Sequence, residues 1–279
     1  MSGTVRGATR LISVMPPSLL KRCNPIFCSM GQPMSRQQLS SEAHKNLPHA
    51  NPLSVDQMRQ LLEVALERQP QMVLEVGCGA GEFAIALAKR QSVHVVALDT
   101  NPYTLERAAA ALSATPLLGT VEFRQSLATE FTGEPVDLLV CIGASQAFGS
   151  PRQALKALRK LLKPSGALVF AELIWATKPS ADFLNFLGAS EEDYWAVEEG
   201  AKAFAEAGFQ VELNTVASAD AWHRYEASLL QGKLEFAKSL PAEKATEVVE
   251  AAMTWYRAYE AQGRHFLGFS AYVAVRKDG

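Results

Sequence analysis

Residues 73–81 read Val-Leu-Glu-Val-Gly-Cys-Gly-Ala-Gly, and no other stretch narrows the choice of fold as far. An apolar strand pattern over 72–76 runs straight into three glycines in five positions, and residues 83–88 continue in helical register. Where a strand hands over to a helix through such a turn, a ligand can come within van der Waals reach of the main chain because no Cβ stands in the way. A second buried-strand pattern, 93–98, ends at Asp99, 22 residues after Gly77. A carboxylate at that spacing can accept hydrogen bonds from both hydroxyls of a ribose.

The glycine spacing separates two ligand classes. Dinucleotide sites favour G-x-G-x-x-G, with a helix N-terminus facing a pyrophosphate; here the pattern is G-x-G-x-G, with Glu75 two residues ahead of it. A carboxylate there repels a pyrophosphate and suits a cationic amino-acid moiety. The bland reading is a glycine turn that only packs helix on strand.

The alternation continues along the chain. From Ser54, a capping residue, apolar positions recur at helical spacing; 103–112 is Ala-rich and helical, and strand patterns follow at 120–124 and 136–142. A helix from Pro151 to Leu162 is stopped by Lys163-Pro164-Ser165-Gly166, then come a strand at 167–174, a helix at 198–207 and a strand at 209–216. Strands separated by helices predict a parallel sheet covered on both faces. Residues 219–262 switch to two helical stretches broken near Leu240-Pro241, and 266–276 reads as a last strand.

Glu75 through Gly81 resembles motif I of the class I S-adenosylmethionine (SAM) dependent methyltransferases, and Val95-Val96-Ala97-Leu98-Asp99 resembles their ribose motif. Residues 136–142 are similar to the family's fourth strand, and 161–168 to its LLKPGG-L turn, so the likeness spans about 50 to 277. It implies a Rossmann-like α/β fold: seven strands, mostly parallel with an antiparallel last strand, helices on both faces and a helical insertion before that strand. It also implies SAM as cofactor, held by Glu75, Gly77, Cys78, Gly79, Gly81, Asp99, Thr100, Ser126, Leu127, Ile142 and Gly143. Two positions depart from the family. Leu127 stands where an Asp usually accepts from the adenine amino group, and Ser165 replaces the first glycine of the turn.

Methyl transfer from a sulfonium is an in-line displacement, so alignment supplies much of the rate and no nucleophilic residue is required. The acceptor pocket belongs outside the carboxyl ends of the strands. Residues 143–146 and 172–175 lie there, which singles out Ser145, Glu172 and Trp175; the bland alternatives are a solvated strand-end carboxylate and a core indole. Residues 50–54, 143–145 and 172–175 together resemble a small-molecule methyltransferase subgroup whose N-terminal segment closes over the cofactor. That resemblance brings Asn51 and His49 to the site, with His49 and Glu172 as the candidate catalytic groups. Trp222 and Tyr225 in the 219–262 insertion are candidate acceptor contacts or packing aromatics of a helical pair.

With 27 basic against 29 acidic residues the net charge is −2, which gives no electrostatic drive toward nucleic acid or an anionic membrane. Four cysteines without zinc spacing predict no metal site, and no apolar run is long enough for a bilayer. Residues 1–40 are basic and serine-rich and predict a flexible tail on a cytoplasmic protein, or a transit peptide for a mitochondrion or plastid, ahead of a domain over 41–279. The predicted partner is a small molecule. A SAM-binding protein without transfer activity and a protein or RNA methyltransferase are the competing readings. Acceptor and oligomeric state leave no trace in the sequence.

Overall fold

The computed structural model describes residues 35–277. Ser35 accepts from the Gln38 amide and caps a helix, α1 (Arg36–His44), so the described fold takes in residues 35–40, which composition assigns to the tail. Residues 1–34, with any targeting signal, lie outside the described residues. Helix α2 (Val55–Glu67) opens with a capping box between Ser54 and Gln57. Then β1 (Met72–Val76), α3 (Glu82–Arg90), β2 (His94–Asp99), α4 (Pro102–Ser113), β3 (Thr120–Gln125) and β4 (Val136–Ile142) alternate.

Pro151 opens α5 (Pro151–Lys160), which leads into β5 (Leu162–Trp175). The expected stop at 163–166 is instead a bulge within β5, looped out between the Val136/Leu162 and Leu138/Ala167 pairs. Ser165 in it takes φ +58°, a left-handed conformation that a glycine would adopt without strain. Next comes α6 (Ala181–Leu187), which the sequence reading did not foresee: seven residues are too few for a periodicity to stand out. The helix expected over 198–207 divides into a 3₁₀ turn at Val197–Glu199 and α7 (Gly200–Glu206). It is followed by β6 (Phe209–Val216), α8 (Ala219–Ala237), α9 (Ala242–Ala258) and β7 (Leu267–Arg276).

The sheet order is β3-β2-β1-β4-β5-β7-β6, with β7 antiparallel to both neighbours and all other pairs parallel. Alternate residues serve opposite layers: Val73 on β1 faces the α2/α3 side with Phe83, Leu87 and Trp222, whereas Leu74 faces Leu155, Leu158 and Phe204 on the other side. Burial on both faces explains why β1, β4 and residues 167–174 of β5 read as runs that are apolar apart from Glu75, Asp137 and Glu172. The order reverses between β1 and β4, which opens a crevice at their carboxyl ends. Among the described residues no helix is long and apolar enough to cross a membrane, and no cluster of His, Cys, Asp and Glu could hold a metal ion.

Candidate active site

The crevice is lined first by the turn after β1. Gly77, Gly79 and Gly81 all take positive φ, between 55° and 78°, but for different reasons. A Cβ on Gly77 would come within 2.3 Å of the Ala144 Cβ, and one on Gly81 within 2.4 Å of Phe123, so these two let neighbouring segments close in. A Cβ on Gly79 would meet nothing within 4 Å. Gly79 therefore borders open space, where main chain is accessible to a ligand.

Asp99 at the end of β2 accepts from the Gly79 amide with Oδ2 (2.8 Å) and from the Asn101 amide with Oδ1 (2.8 Å), joining the two strand ends. Burial raises its pKa and these amides oppose the rise. Glu75 is buried deeper, and its Oε2 has no hydrogen-bond partner among the described residues. Desolvation, then the charges of Glu82 and Asp99, push its pKa up to about 8, against the Ala84 amide. A buried carboxyl oxygen left without a donor among the described residues is one that a cationic ligand can satisfy. Cys78 contributes only a buried thiol, its pKa raised by burial.

Further along the crevice, the Thr100 side chain is exposed, the Ser126 amide donates to the Asp99 carbonyl (3.1 Å), and Leu127 is 51% exposed. An apolar face of that size at this edge gives a flat ring a surface to rest on where a carboxylate is missing. Ile142 and Gly143 close the far wall, the Gly143 amide donating to the Ala171 carbonyl (2.7 Å).

Glu172 is buried at the end of β5. Its Oε2 accepts from the Ser145 amide (3.3 Å), its Oε1 from the Leu173 amide (2.9 Å), and burial raises its pKa against bonds from Ser145 and Leu173. It thereby ties the turn after β4 to β5. Trp175 is buried too: its Nε1 donates to the Glu191 carbonyl (2.8 Å) and its ring meets Tyr194 edge-on. Tyr194, beside the Glu172 charge, carries no sequence signal. Trp222 packs on Phe269, whose ring lies 3.9 Å from where a Cβ of Gly143 would stand.

His49 and Asn51 sit in the connection before α2, both bonded to Leu53. His49 Nε2 donates to the Leu53 carbonyl (2.5 Å), which leaves Nδ1 as the acceptor nitrogen, and burial lowers its pKa. Asn51 Oδ1 accepts from the Leu53 amide (3.0 Å). Tyr225 turns away from this group toward α1, where its hydroxyl donates to His44 Nε2 (2.9 Å). The same helix is clasped at its other end: Gln37 Nε2 donates to the Thr100 carbonyl (3.0 Å) and Asn101 Nδ2 to the Gln37 carbonyl (2.9 Å). Helix α1 thus lies from the turn after β2 to α8, a link no sequence pattern announced.

A methyltransferase-domain family model matches residues 73–166, the segment that holds the glycine turn, Asp99 and β4. The fold is that of a SAM-dependent methyltransferase from Thiobacillus denitrificans crystallised with S-adenosylhomocysteine (SAH): TM-score 0.77, 23% identity, 88% of this chain and 99% of that one. The chain is a class I SAM-dependent methyltransferase. SAM is the cofactor of this methyltransferase, and the open space at Gly79 and the Glu75 Oε2, without a donor among the described residues, fit its amino-acid end. The methyltransferase is also similar to YjhP of Escherichia coli, an uncharacterised protein, at 21% identity over 81% of this chain and 93% of that one; the YjhP crystal structure superposes with TM-score 0.78. A ubiquinone biosynthesis O-methyltransferase of Alkalilimnicola ehrlichii is 29% identical over 55% of this chain and 68% of its own length.

Proposed function

We propose that this methyltransferase acts on a small-molecule acceptor held between the carboxyl ends of β4 and β5 and the α8–α9 layer. The observation that carries the reading is the roof. Helix α1 is bonded at one end to Thr100 and Asn101 and at the other to Tyr225, so the crevice is bridged from the cofactor side to α8. A bridged crevice suits a compact acceptor better than a protein surface or a nucleic-acid strand, and the net charge of −2 offers no track for a polyanion. The likeness to a ubiquinone biosynthesis O-methyltransferase agrees with that class.

When bound, SAM would supply an electrophilic methyl group, with its sulfur as the leaving group that keeps the carbon–sulfur electron pair. The chain's part is to hold and align. Glu75 takes the ammonium of the amino-acid end, Gly77, Cys78, Gly79 and Gly81 cradle that end, and Asp99 accepts from the ribose hydroxyls, with Thr100 beside it. Ser126, Leu127, Ile142 and Gly143 enclose the base, Leu127 by apolar contact. Glu172 positions Ser145 at the acceptor, Asn51 shapes the connection that carries His49, and His49 Nδ1 receives the acceptor's proton. Trp175 and Trp222 exclude water from the reacting atoms.

Methyl-labelled SAM incubated with a cell extract tests this, with the products split by size and the Asp99→Ala protein as control. Label in the small fraction, lost with the variant, supports the reading. Label in protein or RNA overturns the acceptor class, and SAH binding without any transfer favours a SAM-binding protein that transfers nothing.

A further inference from the structure

The turn that leaves β3 forms the crevice wall beyond Asp99. Asp99 pairs with Gln125, the last residue of β3, and the Ser126 amide donates to the Asp99 carbonyl (3.1 Å). The chain then makes a single 3₁₀ turn, Ala128–Glu130, which packs against the 3₁₀ turn Ser145–Phe148 after β4. A cofactor with its amino-acid end at Gly79 and its ribose on Asp99 has crossed from β1 to β2, and its base meets this wall next.

The polar groups of the wall are spent on the turn itself. Ser126 Oγ donates to the Leu127 carbonyl (3.1 Å), the Glu130 amide donates to the same carbonyl (3.0 Å), and the Phe131 amide donates to the Ala128 carbonyl (3.3 Å). Gln125 Nε2 is directed to the Thr100 carbonyl (3.5 Å). Ala128 is buried, and Leu127 is left half exposed. The side chain that the wall offers a ligand at its rim is therefore one that cannot accept a hydrogen bond.

We infer that Leu127 makes this methyltransferase indifferent to the amino group of its cofactor's adenine: the ring rests on leucine, and the amino group stays in water at the open rim. The inference rests on the placement of the cofactor given above, with Leu127 against the base. An acceptor built into the wall would make that amino group costly to remove, because the acceptor would lose its donor. A half-exposed leucine loses nothing when the amino group goes, since water solvates the ring edge in either case. Discrimination among cofactors then falls on the two ends that Glu75 and Asp99 hold.

The full chain is titrated by calorimetry with SAH and with SAH lacking the amino group of its adenine, an analogue that keeps every ring nitrogen. The two ligands are expected to bind within about fivefold of each other. Leu127→Asp places an acceptor on the wall and is expected to favour SAH over the analogue by about tenfold or more, the worth of one charge-assisted bond. Leu127→Asn offers a neutral acceptor and is expected to open a smaller gap, of severalfold; it carries the test should the melting temperature show that Leu127→Asp misfolds. A wider margin for SAH in the unaltered chain, or equal binding of both ligands by the Leu127 variants, overturns the inference. Loss of both ligands in Asp99→Ala shows that the cofactor placement survives that result. If Asp99→Ala binds both as tightly as the unaltered chain, the placement itself fails and the inference falls with it.

Discussion

Glu75 shows how a single residue can favour ligand binding at the expense of the empty fold. Its pKa is about 8, against 4.5 for an unhindered carboxyl, so the folded state holds a proton that the unfolded state releases. The contribution to stability is complete below about pH 4.5 and is lost as pH rises through 8. The melting temperature of the ligand-free enzyme is therefore expected to fall between pH 5.5 and 8.5. Glu75→Gln should flatten the fall in part, because Glu172 and Glu226 are shifted in the same direction. SAH affinity should respond in the opposite sense, tightening as pH rises to 8, since the ammonium prefers the ionised carboxylate. Glu75→Gln should weaken SAH by about 10- to 100-fold, the loss of one charge-assisted bond, in a calorimetric titration at pH 8. At this scale much was legible: three glycines and Asp99 announced the crevice by spacing alone. What spacing could not reveal is that a Cβ on Gly77 or Gly81 would strike Ala144 or Phe123, which lie far off in sequence, and that of the three only Gly79 has open space where a Cβ would stand.

Among the elements, α1 departs most from what the sequence suggested. Its docking is carried by main-chain acceptors, the carbonyls of Gln37, Ser41 and Lys45, which Asn101 and Arg107 reach from α4 and its cap. Carbonyls are the same in every residue, so such a contact leaves no mark in composition, and the helix buries only Ser41 and Ala43. Its apolar seat is equally small: Ala43 with Tyr225 and Leu229, apart from the two main core clusters. His44 adds a defined tautomer. Its Nδ1 donates to the Ser40 carbonyl (2.7 Å), Nε2 accepts from Tyr225, and burial lowers its pKa to about 4, so the ring stays neutral at working pH. The crossing with α8 is fixed at Gly232, where a Cβ would come within 2.5 Å of the Ala43 carbonyl oxygen. Helix propensity alone favours Gly232→Ala by about 0.5–1 kcal/mol, whereas the clash costs about 1–3 kcal/mol. The expected outcome is net destabilisation, with faster amide exchange across residues 36–44 and weaker SAH binding. A more stable Gly232→Ala protein would mean that α1 is not seated on α8.

For the whole molecule, the decisive feature is that the last strand is not the last in the sheet. Strand β7 lies between β5 and β6, and β6 pairs with no other strand. The alternation of strands and helices was readable from apolar runs, and the family resemblance implied seven strands with an antiparallel last one, but strand order was not legible, because pairing is a property of the assembled sheet. A chain ending at Phe266 is expected to lose both the β5–β7 and β6–β7 ladders, leaving two unpaired edges. Its soluble fraction and SAH binding should then collapse together. The same order sets a timetable for synthesis. Residues 209–258 leave the ribosome with no strand for β6 to pair with, and wait for the ten residues of β7 to arrive between β6 and a sheet that can form up to β5. A stop codon inside β7 is thus expected to be as damaging as one in the middle of the domain, because it leaves β5 and β6 without the strand that joins them.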